Sequence, residues 1–133
     1  MTAKKDLQNK QDICLLVDTF YQKVRQNPTI GYIFIDIAQI EWEKHLPKIY
    51  AFWETVLLGE NTYKNNVMEP HILLNRKIKL ADEHFETWLN LWQSTVDELF
   101  VGENATVAKQ KANTMQLLMR YKIQESEKPY FIH

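Results

Sequence analysis

The stretch DICLLVDTFYQKVR, residues 12–25, decides the fold class, because its apolar residues recur at the spacing of an α-helix. They occupy one helical face, at positions 13, 16, 17, 20, 21 and 24. One of them, Tyr21, carries a hydroxyl group, and a buried tyrosine hydroxyl needs a hydrogen-bonding partner. The stretch therefore predicts an amphipathic helix that directs a polar group into the interior of the protein.

The rest of the chain is helical in pattern as well. It has three glycines and four prolines in 133 residues and shows no strand pairs, so we predict an all-α domain. Further helices are expected over about 43–58, with Pro47 in the first turn and Gly59 at the stop, and after the N-caps Asp82 and Asn104. The last helix would bury a face formed by Ala108, Ala112, Met115, Leu118 and Met119.

One connection between these helices is unusually long. The segment GENTYKNNVMEPHILLNRKIKL, residues 59–80, has little periodicity of its own, and such a loop in a small domain is usually functional or disordered. Its apolar content favours order against the core. We find no repeat or linker, so residues 1–133 are expected to form one domain, with an ordered core over about 12–122 and a frayed tail from about 124.

Composition excludes several classes of partner. The formal net charge is −1 with scattered lysines, which offers no electrostatic footprint for nucleic acid or for an anionic membrane. No apolar run approaches the roughly 20 residues that span a bilayer, and the first residues lack a secretory signal. We expect a cytoplasmic protein in which the single cysteine, Cys14, is a small buried hydrophobe without a disulfide.

The common catalytic motifs are absent. Helical di-iron proteins need a Glu with a His three residues later, but the residues three before the four histidines are Trp, Met, Ala and Tyr. The zinc-protease motif and a glycine-rich phosphate loop are missing too. A Ser/His/Asp or Cys/His site is not excluded by spacing, although Cys14, beside leucines, is a poor candidate nucleophile.

Two histidines lie among apolar residues in separate segments. His45 shares a helical face with Trp42 and Trp53, and His71 lies in MEPHILL. A lone histidine of this kind is more often structural, with one satisfied hydrogen bond. Tyr21 and Trp88 also point inward, and an apolar box with an iron ligand on one wall and O–H and N–H donors on the other is how proteins hold haem. The same aromatics could instead fill the core of a haem-free interaction module.

Four segments in succession resemble the group III truncated haemoglobins. They are DTFYQKVRQNPTIGYIF, EWEKHLPKIYAFWETVLLG, MEPHILL and HFETWLNLWQSTVDELFVG, and the similarity spans about residues 12–122. The resemblance implies a truncated globin fold, in which two antiparallel helix pairs surround a haem b. The resting iron would be five-coordinate or would carry a water.

The resemblance also implies roles for individual residues. His71 corresponds to the proximal iron ligand and His45 to the histidine at the gate of the distal pocket. Tyr21 and Trp88 correspond to the distal hydrogen-bond donors, and Phe34 to the phenylalanine packed against the porphyrin. Further walls of the pocket would be Phe20, Ile49, Phe52, Trp53, Phe85, Met115 and Met119.

Three charged or titratable residues complete this assignment. Lys48 lies where a lysine can reach a haem propionate, and Arg76 is a weaker candidate for the same task. His84 precedes Phe85 near the start of a helix, and we interpret it as structural or as a neighbour of the haem edge rather than as an iron ligand.

The function implied by the resemblance is binding of the diatomic ligands O2, NO and CO, with O2, NO or peroxide chemistry. The activity would resemble that of an NO dioxygenase or a peroxidase. No flavin or NAD site is visible, so turnover would need an external reductase. The alternative is a carrier or sensor of gases without turnover. A monomer is expected.

Overall fold

The computed structural model describes residues 4–33, 42–59 and 79–127. In that part of the chain it contains four helices: α1, Lys10–Gln26; α2, Trp42–Leu58; α3, Asp82–Leu99; and α4, Glu103–Ser126. These residues form no strand, and Lys5 and Phe100 make an isolated parallel bridge. None of the described helices has the length and apolar character that crossing a membrane would require. The predicted all-α fold class is confirmed.

The helices pack as two pairs, α1 against α2 and α3 against α4, with α1 also packed on α3. Only residues 100–102 join α3 to α4, so these two helices form an antiparallel hairpin. Gly102 in this connection has φ 140°, and a Cβ there would come within 2.5 Å of the Asp6 side chain. The turn therefore needs glycine both for its backbone conformation and for the approach of Asp6.

Trp92 of α3 lies at the centre of the core and is fully buried. Its indole Nε1 donates to the Ala108 carbonyl of α4 over 3.2 Å, and its ring stacks on Trp53 of α2 with centroids 4.4 Å apart. One tryptophan thus connects three helices. The apolar face predicted for α1 is buried at every position: Ile13, Leu16, Val17, Phe20, Tyr21 and Val24.

The predicted helix caps were wrong in two places. The N-cap of α3 is Ala81 rather than Asp82, and the Ala81 amide donates to His84 Nδ1 over 2.9 Å. At the start of α4, Asn104 lies inside the first turn. Its amide donates to Asp6 of the segment before α1, over 2.9 Å, so the cap comes from a distant part of the chain.

Three further expectations need correction. Pro47 lies in the second turn of α2, inside the helix, where it removes one backbone hydrogen bond without ending the helix. Leu118 was expected to be buried, but its side chain is 47% exposed, because Ala112, Gln116 and Met119 form the buried face of α4. Cys14, which was expected to be buried, is only partly buried.

The predicted end of α2 at Gly59 is confirmed. Gly59 follows Leu58 directly and has a φ of 74°.

Candidate functional site

Tyr21 of α1 is the polar residue that the first helix turns into the core. It is 6% exposed, and its ring centroid lies 4.9 Å from that of Phe20 and 5.2 Å from that of Trp42. Burial raises the pKa of the Tyr21 phenol above its ordinary value. The hydroxyl is protonated at neutral pH, as an ordinary phenol is, and an O–H of this kind can donate a hydrogen bond.

His45 reaches the same place from the first turn of α2. Its ring centroid lies 5.8 Å from that of Tyr21 and 5.7 Å from that of Trp42, both at an interplanar angle of 79°. The Nε2 atom of His45 is shielded from solvent. A phenol and an imidazole from two helices thus meet inside one set of aromatic rings.

Trp88 of α3 approaches this pair through Phe20, whose ring centroid lies 5.8 Å from the indole. The Trp88 ring is half-buried and lies parallel to Trp92, at 6.3 Å between centroids. Its N–H makes no hydrogen bond with the residues that the structure describes. The indole is therefore held by ring packing and keeps a donor for a further group.

The remaining predicted wall residues fall into two clusters. Phe20 and Trp53 are buried in the main core, and three partly buried residues pack against it, namely Ile49, Phe52 and Met115. Phe85 and Met119 belong to a second cluster with Ile123, against which Leu80 packs. The guanidinium of Arg120 lies over the edge of that cluster, with its Cζ atom 5.7 Å from the centroid of the Phe85 ring. The predicted wall residues in the described part of the chain thus divide between two separate apolar clusters.

Some predicted residues lie outside the described ranges, and others have defined places. His71, Phe34 and Arg76 fall in residues 34–41 and 60–78, which the structure does not describe. Lys48 is exposed on α2 and forms no ion pair with the described residues. His84 accepts the Ala81 amide through Nδ1 at the start of α3, and its predicted role as structural or as a neighbour of the haem edge stays a prediction. Within the described ranges, no cluster of three or more His, Cys, Asp or Glu side chains could bind a bare metal ion.

Sequence reasoning missed the surroundings of Trp42. The Cζ atom of Arg25, near the end of α1, lies 4.2 Å from the centroid of the Trp42 ring at the start of α2. The helical period placed Trp42 on the face of His45, but no local signal paired it with Arg25 or Tyr21. That pairing depends on how α1 and α2 pack.

Polar aromatic side chains from three helices face the interior of the fold. Two helix pairs enclose an aromatic interior into which a phenol, an imidazole and an indole project from three different helices. Each of these three rings carries a polar atom within otherwise apolar surroundings.

Comparison with known proteins identifies the family. No family model matches the chain. It is 34% identical over 107 residues to the group 3 truncated haemoglobin ctb of Campylobacter jejuni, an alignment that covers 78% of this chain and 82% of that protein. The crystal structure of the group III truncated haemoglobin from Campylobacter jejuni is similar with a TM-score of 0.78 and 28% identity, over 98% of this chain and 100% of that one. The chain belongs to the group III truncated haemoglobins, as its sequence motifs indicated.

Proposed function

We propose that this chain binds haem b and holds O2, and the related ligands NO and CO, on the side of the haem that faces Tyr21 and His45. The observation that carries the proposal is the Tyr21 phenol, 6% exposed and 5.8 Å from the His45 ring between centroids. Membership in the truncated haemoglobin family supports it, because the relatives are named as haemoglobins.

The residues of the site suit the ligand side of a haem. Phe20 and Trp42 lie against the Tyr21 ring and keep water away from its hydroxyl. The polar groups that meet these rings from α1 and α2 include the Tyr21 hydroxyl and the imidazole of His45, whose Nε2 atom is shielded from solvent. An apolar enclosure with one or two placed donors is the environment that a haem pocket uses to hold a diatomic ligand.

Each group has a distinct task in this proposal. A haem supplies the iron at which the diatomic ligand binds. The Tyr21 hydroxyl, whose pKa is raised further by burial, donates its O–H to the ligand, and Trp88 provides a second donor, its indole N–H, from α3. Each donor stabilises an acceptor that carries negative charge by about 1.5–3 kcal/mol. His45 stands beside Tyr21 and controls access to the donors.

The groups that would hold the haem itself come mostly from outside the described ranges. In this proposal His71 is the proximal iron ligand, Phe34 packs on the porphyrin, and Arg76 lies near a propionate. Lys48 is the described candidate for the other propionate, since it is exposed and makes no ion pair with the described residues. Its ammonium group could pair with a carboxylate at the protein surface.

The chemistry that best fits this pocket is conversion of O2 with NO, or of peroxide, rather than delivery of O2. Two donors directed at one ligand slow its release, and a slowly released ligand has time to react. Turnover would draw electrons from an external reductase.

An absorption spectrum of the purified protein tests haem binding, and we expect a Soret band with one haem per chain. Absence of the band after reconstitution would leave only a helical interaction module. Stopped-flow mixing of the oxygenated form with NO, and of the ferric form with peroxide, then tests the reaction. Rapid conversion supports the proposal, whereas slow conversion in both assays would indicate a carrier or sensor.

A further inference from the structure

We propose that Trp42, held in place by Arg25, is the wall against which His45 closes, so that Arg25 sets how often the ligand pocket opens. This inference rests on the proposed function, because the pocket in question is the one bounded by Tyr21 and His45. It assigns a positioning role to Trp42 and Arg25, which would act on the ligand through His45.

The geometry places Trp42 between a surface cation and the two polar groups of the pocket. Its ring centroid is 4.2 Å from Arg25 Cζ, 5.2 Å from the Tyr21 centroid and 5.7 Å from the His45 centroid. The Arg25 guanidinium lies over the indole, while Tyr21 and His45 meet it at steep angles of 62° and 79°. One indole therefore contacts both groups that a ligand must pass or reach.

Within the described ranges, no carboxylate competes with Trp42 for the Arg25 guanidinium. Arg25 is exposed on the last turn of α1 and forms no hydrogen bond or ion pair with the described residues. A guanidinium without a carboxylate partner is free to stay over an aromatic face, which attracts a cation through its quadrupole. Trp42 is half-buried, so the cation lies on the side that faces solvent.

The position of His45 explains why this stack would act as a restraint. His45 is in the first turn of α2, where backbone amides lack acceptors within the helix and the chain is least restrained. For the imidazole to swing outward, its edge-to-face contacts with Trp42 and Tyr21 must break. A Trp42 ring fixed by Arg25 keeps those contacts available, whereas a mobile ring does not.

The first test measures CO association after flash photolysis of the haem-bound protein. Only open molecules admit the ligand, so we expect Arg25→Gln to raise the association rate about two- to fivefold, equivalent to about 0.4–1 kcal/mol in the opening equilibrium. Trp42→Ala should raise it further, and Arg25→Lys, which keeps the cation, should lie near the wild type. The matched control is Lys23→Gln, which removes a charge from the same helix end but from a pair with Glu98.

The second test detects the stack without relying on ligand binding. In protein labelled with 5-fluorotryptophan, the ¹⁹F resonance of Trp42, assigned with Trp42→Phe, should shift in Arg25→Gln and stay in place in Lys23→Gln. This measurement is made with and without haem. It remains informative if Trp42→Ala fails to fold, because Arg25 is exposed and its substitution leaves the core intact.

Several results would overturn the inference. An unchanged CO rate in Arg25→Gln, an equal rise in Lys23→Gln, or an unshifted Trp42 resonance each contradicts the role of Arg25. A protein that forms no Soret band refutes the proposed function, and the gate along with it. A protein that binds haem normally but shows unchanged rates in the Arg25 variant refutes the gate alone.

Discussion

The ring of Tyr21 lies edge-to-face with that of His45, 5.8 Å apart between centroids, although the two residues belong to different helices. The contact between α1 and α2 sets this distance. A hydrogen bond from the Tyr50 hydroxyl of α2 to the Asp18 carboxylate of α1 ties the same two helices together. The placement of the candidate donor is therefore a property of helix packing rather than of a flexible loop.

Tyr21→Phe should speed the dissociation of O2. The substitution removes a hydroxyl donor but keeps the ring that packs on Phe20 and Trp42. Loss of a hydrogen bond to a charged acceptor, about 1.4–2.8 kcal/mol, raises the dissociation rate about tenfold to hundredfold if association is unaltered. Stopped-flow displacement of O2 measures this rate.

Comparison with CO separates hydrogen bonding from simple access in the same variant. CO carries much less negative charge than O2 when bound, so its dissociation should change far less. In Tyr21→Phe combined with Trp88→Phe the effects should be non-additive, because both donors would share one ligand. Unchanged O2 dissociation in the double variant would mean that neither residue holds the ligand.

His71→Ala should abolish stoichiometric haem retention, whereas His84→Ala should retain the haem. His84 is already used by the fold, since its Nδ1 accepts the Ala81 amide at the start of α3. Its loss should cost about 0.5–1.5 kcal/mol of unfolding free energy, the net value of one hydrogen bond. Haem content and urea unfolding of both variants are the measurements, and equal haem content would refute the ligand assignment.

His45 should act as a gate and not as a second iron ligand. Its ring is engaged edge-to-face with both Trp42 and Tyr21, which holds the imidazole beside the pocket wall. We therefore expect the ferric protein to lack a low-spin spectrum of the bis-histidine type. Such a spectrum, lost in His45→Ala, would contradict this assignment.

Asp6→Asn should destabilise the protein at neutral pH, and the effect should fade in acid. Burial acts to raise the pKa of Asp6, but amide donors including Asn104 and Ala105 outweigh it and hold that pKa below its ordinary value. Because the folded-state pKa lies below the unfolded value of about 3.9, the stabilisation is present above that pH and is lost as pH falls through the folded-state pKa.

The expected loss in Asp6→Asn at pH 7 is about 0.5–1.5 kcal/mol, the net value of one hydrogen bond, because asparagine keeps one of the two acceptor oxygens that meet Asn104 and Ala105. Urea unfolding at a series of pH values measures it. Glu98→Gln is the control, because Glu98 pairs with Lys23 at an exposed position and should contribute little. A difference between wild type and Asp6→Asn that does not depend on pH would argue against the charged cap.

Sequence alone was sufficient for features that depend on local pattern. The buried face of α1 and the stop at Gly59 follow from helical period and from the conformational freedom of glycine. The cap of α4 could not be predicted in this way, because Asp6 lies 98 residues before Asn104 in the chain. Leu118 was misplaced for a related reason, since α4 turns a face rich in small residues, including Ala112, toward its neighbours.

The candidate site was predicted in part by the motifs and in part by the helical period. The period showed that Tyr21 and His45 face inward, and the resemblance paired them. No local feature of the sequence assigned Arg25 to the site, because a cation in the last turn of a helix is favoured by the dipole of that helix alone. Its position over Trp42 depends on how α1 packs against α2, which the local sequence does not specify.

The segment before α1 has a consequence for how the chain acquires its fold during synthesis. Leu7 is fully buried, and the Asp6 carboxylate accepts from the Asn104 and Ala105 amides at the start of α4. The ribosome must therefore extend the chain past Ala105 before these early residues can dock. Until then the Asp6 carboxylate has no amides of α4 from which to accept, so this cap forms only after most of the chain has been synthesised.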